Sequence, residues 1–203
     1  MFESVLTKEQ VKLLPLLKSF TKDFVLVGGT AVALQIGHRR SVDFDLFSYK
    51  PFGNAALRQK IKKAASVSGV LVDKKGELTL IVGGVKITFF NYPFKITADQ
   101  KLGGIIKMPD LATLAAMKAY ALGRRAKWKD YVDLYFILKD HQILGEVAKR
   151  GVRIFGDEFN ERLFRVQLAY FKDINYEEKI EFLPGFEVSN KQIEKTLIQM
   201  STK

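Results

Sequence analysis

Two aspartates with a single residue between them, Asp43 and Asp45, carry the strongest chemical signal in this 203-residue chain. They lie in Val42-Asp43-Phe44-Asp45-Leu46-Phe47, where apolar and acidic residues alternate. Period-two alternation predicts a β-strand, and residues two apart on a strand project from one face. Carboxylates held side by side repel each other unless a cation lies between them. Mg²⁺ (or Mn²⁺) suits such a pair, because it takes carboxylate oxygens together with waters and substrate phosphates. A D-x-D pair is equally a pair of surface acids on an edge strand, so its meaning rests on its surroundings.

Those surroundings favour phosphate chemistry. Phe24-Val25-Leu26-Val27 is a short apolar run stopped by Gly28-Gly29, which predicts a buried strand ending in a glycine turn. Thr30 to Gly37 then reads as a helix. Glycines let the backbone approach a phosphate, a helix N-terminus offers free N–H groups to an anion, and the Thr30 hydroxyl adds a donor. A phosphate cradle beside a metal-binding acid pair supplies the two parts that phosphoryl and nucleotidyl transfer need. Between them lies His38-Arg39-Arg40-Ser41. Arg39 or Arg40 could grip a triphosphate, since guanidinium pairs with phosphate in a fork; a salt bridge or a solvated loop is the plainer reading. His38 reads as a cap or a core hydrogen-bond donor. With only His38 and His141, a histidine-based zinc site is not expected.

The elements that must position these residues follow from periodicity and punctuation. Thr7 to Phe20 is predicted helical, capped by Thr7, with Val11, Leu14, Leu17 and Phe20 near helical spacing and Pro15 as a point of kinking. Asn54 to Ser68 reads as a basic amphipathic helix. Val70 to Asp73, Glu77 to Val82 and Val85 to Phe90 read as strands, the last two joined by a Gly83-Gly84 hairpin. Pro109-Asp110 marks a change to helical patterning. Asp110 caps a helix from Leu111 to Leu122, and Lys127 to Lys139 forms the next. Residues 141–150, 157–171 and 189–200 predict three more. The chain is therefore expected to be α+β, with an α+β half over residues 1–105 and a helical half over 106–203.

Composition narrows the classes. The chain is 47% hydrophobic and 27% charged, as globular proteins are. No apolar run nears the roughly 20 residues of a membrane span. Glu3, Lys8, Glu9, Lys12 and Lys18 break up any signal-peptide core, and the absence of cysteine excludes disulfides and thiolate chemistry. A cytoplasmic protein with no membrane partner is the expectation. Formal net charge is +11, and it is lopsided: residues 1–140 hold 23 basic and 12 acidic residues, residues 141–203 ten of each. A basic surface of that size attracts polyanions such as nucleotides or RNA.

Two blocks resemble the AbiEii/AbiGii-type nucleotidyltransferases of the DNA polymerase β-like superfamily. The first is Val27-Gly28-Gly29-Thr30-Ala31 followed by Gly37-His38-Arg39-Arg40-Ser41-Val42-Asp43-Phe44-Asp45-Leu46-Phe47. The second is Met117-Lys118-Ala119 with Arg124-Arg125-Ala126-Lys127-Trp128-Lys129-Asp130-Tyr131-Val132-Asp133-Leu134. The matching blocks lie between residues 24 and 138, about two thirds of the chain. The resemblance implies a polymerase β-like core, a mixed sheet with flanking helices, followed by a helical bundle. It implies that Asp43 and Asp45 hold Mg²⁺, and that Gly28, Gly29 and Thr30 line the triphosphate with Arg39, Arg40 and Ser41. Lys118 would neutralise phosphate charge. Lys129 and Asp130 would face the same cleft, and Asp133 would share that face or pair with Arg124 or Arg125.

One departure stands out. Many relatives of this superfamily carry a third carboxylate on a later strand, and strand order puts the neutral Thr88 there. Asp130 is then the best candidate for a third acid. Trp128 and Tyr92 are candidates for base stacking, against ordinary core packing. The expected activity is metal-dependent transfer of NMP from an NTP to a hydroxyl acceptor, RNA such as tRNA being favoured by the charge. The resemblance further implies a toxin role with a cognate antitoxin. A small-molecule or protein nucleotidyltransferase, and a catalytically silent nucleotide- or RNA-binding protein, are the alternatives.

Overall fold

A computed structural model describes residues 1–125 and 127–203. Ala126, part of the second block of resemblance, lies outside the described residues.

Helix α1 (Lys8–Lys18) starts at a capping box, in which Thr7 and Gln10 each satisfy the other's backbone N–H. Pro15 sits inside the helix without ending it. Residues 11 and 15 are both solvent-exposed, so water can satisfy the Val11 carbonyl that the proline leaves without a donor. The buried face is Gln10, Leu13, Leu16 and Leu17 with Phe20, whereas Val11, expected inside, is 49% exposed.

Strand β1 (Val25–Val27) runs directly into α2 (Gly28–Ile36), so the glycine pair forms the first helical turn rather than a separate loop. Gly37, in the left-handed conformation, ends α2. Strand β2 (Phe44–Ser48) alternates as expected, with Phe44, Leu46 and Ser48 buried and Asp45 and Phe47 on the opposite face. Helix α3 (Asn54–Ala64) leads to β3 (Val67–Lys74), β4 (Glu77–Val82) and β5 (Val85–Asn91). Gly83 and Gly84, both at positive φ, make the β4–β5 turn.

The five strands form one mixed sheet in the order β1-β2-β5-β4-β3. Only β2 and β5 pair in parallel. Their register sets Asp45 opposite Thr88 and Phe47 opposite Phe90. One sheet face is covered around Phe89, which meets Phe20 and Phe24 edge-on at ring distances of 5.0 and 5.1 Å.

A small hairpin, β6 (Gln100–Leu102) and β7 (Ile106–Met108), was not expected from the sequence. The expected join near residue 105 falls within its turn. Asp110 then caps α4 (Leu111–Leu122), its carboxylate accepting from the Thr113 N–H at 2.7 Å. Helices α5 (Trp128–Asp140), α6 (Leu144–Phe155), α7 (Glu161–Leu168) and α8 (Asn190–Ser201) complete the chain. Helices α4 and α5 pack against α2, which joins the helical half to the sheet. Among the described residues no helix is long and apolar enough to cross a membrane.

Candidate active site

A cleft of about 510 Å³ opens between the sheet and α4. Its floor is the second sheet face. There the β2 residues Asp45 and Phe47 lie beside Thr88 and Phe90 of β5, with Asp43 just before β2 and Lys86 at the matching place on β5. Gly28 and Gly29 bring in the N-terminal turn of α2. The facing wall is Leu114, Met117, Lys118 and Tyr120 of α4. Arg124, Arg125, Lys127 and Lys129 form a cationic rim. One enclosure thus joins an acid pair, a helix N-terminus, several cations and an aromatic patch of Phe47, Phe90 and Tyr92. Those are the chemical needs of a metal-bound nucleoside triphosphate.

The acid pair is held from behind. The buried Gln10 side chain donates to the Ser41 carbonyl at 2.9 Å, and the Thr30 hydroxyl donates to the Asp43 carbonyl. Both fix the backbone that presents Asp43. The Asp43 carboxylate pairs with Lys86 at 2.6 Å. Burial pulls the Lys86 ammonium down, but its hydrogen bond to Asp43 and the charge of that carboxylate outweigh this, so it stays firmly protonated. Asp45 has no ion pair among the described residues, and burial together with the Asp43 charge pushes its carboxyl upward.

Gly28 is required here. It sits at φ +72°, and a Cβ on it would lie 2.2 Å from Asp45 Oδ2. A Cβ on Gly29 would lie 2.6 Å from Arg39 Nη2 and 3.0 Å from Ser41 Oγ. The glycines therefore admit the acid and the arginine as closely as they would admit a phosphate.

Four of the expected nucleotide-facing residues are turned elsewhere. Thr30 is 1% exposed, its hydroxyl spent on the Asp43 backbone. Arg39 is buried, forking onto Asp133 through Nε at 2.7 Å and Nη2 at 2.9 Å. Arg40 leaves the cleft to pair with Glu181 at 2.6 Å. Asp130, expected as a third acid, is fully buried and held by Lys118 at 2.6 Å and Arg125 at 2.9 Å. For Arg39 and Asp130 the reason is shared: a buried charge needs an opposite charge, and the segment after α2 meets α4 and α5 where theirs come together. Lys118 lines the cleft but spends its ammonium on Asp130 and, at 2.7 Å, Asp133. Ser41, Asp43, Asp45 and Lys129 do face the cleft, as do both glycines. Trp128 is buried, with its indole N–H on Asn190 at 3.1 Å, whereas Tyr92 lines the cleft.

Asp133 is the hub of this network. Its two oxygens accept from His38 Nε2 at 2.8 Å and from Arg39 twice, and one of them forms an ion pair with Lys118. Burial would raise its pKa, but Arg39, Lys118 and the His38 hydrogen bond hold it well below the ordinary carboxylate range. The His38 imidazole is pushed down by burial, more than Asp133 raises it. In the same way Lys118 and Arg125 overcome burial to keep Asp130 ionised. On the rim, Glu178 pairs with Lys127 at 3.1 Å and also with Lys129. Burial raises the Glu178 pKa, but the two lysines bring it to about 2.

Lys86, Gln10 and Glu178 were not singled out by sequence reasoning. The only trace of Gln10 is a polar residue on the buried side of an amphipathic helix. Lys86 sits two residues from Thr88 on the same strand face.

A metal must be tested against these donors. Among the described residues no group of three or more Asp, Glu, His or Cys side chains could hold a metal ion. Two carboxylates on one face, with a hydroxyl opposite Asp45, nevertheless fit Mg²⁺ that completes its shell with water and phosphate oxygens. The close seat that Gly28 leaves for Asp45 Oδ2 supports the same reading.

The fold is that of nucleotidyltransferases. A crystal structure of a protein from H. pylori superposes with a TM-score of 0.66 at 18% identity, covering 100% of this chain and 95% of that one. MenT4, the nucleotidyltransferase toxin Rv2826c from Mycobacterium tuberculosis H37Rv, gives 0.62 at 15% identity, covering 95% and 81%. The uncharacterized protein aq_aa25 of Aquifex aeolicus (strain VF5) is 31% identical over 173 residues, 81% of this chain and 82% of that protein. The family described as "Nucleotidyl transferase AbiEii toxin, Type IV TA system" matches residues 16–192, and the chain belongs to it. It is a nucleotidyltransferase of this toxin family.

Proposed function

We propose that this protein transfers NMP from an NTP to a hydroxyl of an RNA acceptor such as tRNA, with Asp43 and Asp45 holding Mg²⁺ or Mn²⁺. The observation that carries the reading is the acid pair on one wall of a cleft whose other side is cationic. When bound, the metal supplies charge neutralisation at the reacting phosphate and at the leaving pyrophosphate. The N-terminal turn of α2, opened by Gly28 and Gly29, receives phosphate oxygens on its N–H groups. Ser41 and Lys129 add a hydroxyl and an ammonium. Phe47, Phe90 and Tyr92 offer flat apolar surface to the base. The acceptor oxygen bonds to the α-phosphorus, the bond to pyrophosphate breaks, and the hydroxyl proton leaves to solvent.

Lys118, Asp130, Asp133 and Arg39 act in this reading as the frame that fixes the cleft walls rather than as groups on substrate. Residues 1–105 carry the acid pair, and the helical part 106–203 closes over it. RNA is favoured by the charge excess of residues 1–140 and by the rim of Arg124, Arg125, Lys127 and Lys129. The family description points to an antitoxin as the further partner.

The test is incubation with Mg²⁺, each α-³²P-labelled NTP in turn, and total RNA plus soluble protein. Label on an RNA band that is lost with Asp43→Asn and with Asp45→Asn is expected. Label on protein alone would replace RNA by a protein acceptor. No label in any macromolecule would overturn the proposal for macromolecular acceptors.

A further inference from the structure

The parallel register of β2 and β5 pairs the cleft floor rung by rung. Phe47 lies opposite Phe90 and Asp45 opposite Thr88. Phe44 lies opposite Ile87, so the next rung sets Asp43 beside Lys86. There the side chains meet at 2.6 Å. The acid pair therefore carries its own cation, on the strand whose Thr88 takes the place expected for a third carboxylate. Lys86 is no bystander from the rim: its strand position points it at Asp43, and its side chain is 36% exposed, on the cleft side.

Two consequences follow. Without Lys86, Asp43 and Asp45 would stand two residues apart on one face with no cation between them. With it, a divalent metal that takes Asp43 Oδ2 must displace the ammonium ion already bonded to that oxygen, and one on the other oxygen meets that positive charge close by. The lysine stem has four rotatable carbons, so its head can leave Asp43 for another anion without moving β5. The nearest anion of the reaction is the triphosphate.

Resting on the nucleotidyl-transfer reading, we propose that Lys86 is the resident counter-cation of the acid pair: it competes with the metal for Asp43 until the nucleotide's phosphates take the ammonium over. Lys86 is thus a positioning residue that makes metal and nucleotide bind together. Metal alone binds weakly, and each ligand strengthens the other by the same factor, as linkage requires.

The measurement is Mn²⁺ binding to the whole protein, read without nucleotide as loss of the free-ion EPR signal, and with a non-hydrolysable ATP analogue as Mn²⁺ and analogue retained with the protein in equilibrium dialysis above a protein-free control. Lys86→Met removes the charge and keeps the stem; Lys86→Arg keeps the charge. For Lys86→Met without nucleotide, Mn²⁺ should bind about tenfold tighter or more, because one cation is lost beside a partly buried carboxylate. The strengthening by the analogue should then largely vanish, and Lys86→Arg should keep it. As a second readout, the metal-free melting temperature of Lys86→Met should fall and Mn²⁺ should restore it, which a merely structural lysine would not produce. Equal or weaker Mn²⁺ binding by Lys86→Met overturns this inference and leaves the activity reading standing. No Mn²⁺ binding by the unaltered protein even with the analogue, or binding that Asp45→Asn leaves unchanged, overturns both.

Discussion

Replacing Asp133 by Asn should be among the most damaging single changes outside the cleft. Asp133 is fully buried, and its carboxylate accepts three hydrogen bonds, one from His38 and two from Arg39, and pairs with the Lys118 ammonium. Asparagine keeps one acceptor oxygen and turns an NH₂ toward two cations, so one charge-assisted hydrogen bond and the Lys118 ion pair are lost, and Arg39 is left buried without its counter-charge. Removing one partner of a buried pair costs about 3–5 kcal/mol. At roughly 2–4 °C per kcal/mol for a chain of this size, the melting temperature should fall by about 6–20 °C. The acid limb should also change. The Asp133 pKa is lower folded than unfolded, so its contribution is full above its ordinary value of 3.8 and is lost as pH falls through the folded value. Asp133→Asn should therefore flatten the loss of stability below about pH 4, leaving the parts due to Asp130 and Glu178. The assay is thermal and urea unfolding followed by circular dichroism at pH 7 and down to pH 2. Adding Arg39→Met to the variant should recover part of the loss, because it removes the stranded charge. A fall under 3 °C at pH 7, with an unchanged acid limb, would refute the account of this network.

Two further outcomes follow from the cleft itself. Gly28→Ala should cost about 1–2 kcal/mol for the left-handed backbone, and should displace the Asp45 carboxylate that lies 2.2 Å from the new methyl; the check is unfolding together with Mn²⁺ binding, and both should weaken. Glu178→Gln should free Lys127 and Lys129, so a fluorescein-labelled 12-nucleotide RNA should bind more tightly, with a log–log salt slope steeper by about 1.4 for two added phosphate contacts; fluorescence anisotropy across a salt series reads this, and an unchanged slope would count against the rim as a phosphate surface.

Much of the local architecture could be read from the sequence because it depends on neighbours in the chain. The alternation at Val42–Phe47 marked β2 and its polar face, Asp110 and Thr7 marked helix starts, and Gly83-Gly84 marked a hairpin. The nearness of the glycine turn to the acid pair followed from the same signals. The hairpin at Gln100–Met108 escaped, since its three-residue strands are too short to show a period.

What only the tertiary structure decided is which charges meet. Arg39 and Asp133 lie 94 residues apart, and Gln10 and Ser41 31 apart. Nothing in local periodicity says that Arg39 forks onto a buried carboxylate instead of a phosphate. That outcome is set where α2, α4 and α5 converge and exclude water, so that each buried charge must find its opposite within a few ångströms. The sequence by itself determined that an acid pair would stand on a strand beside a glycine-opened helix. The parallel packing of β2 on β5 decided that Lys86 would stand beside it, because register between strands whose paired residues lie 43 positions apart depends on the whole sheet and on no local pattern.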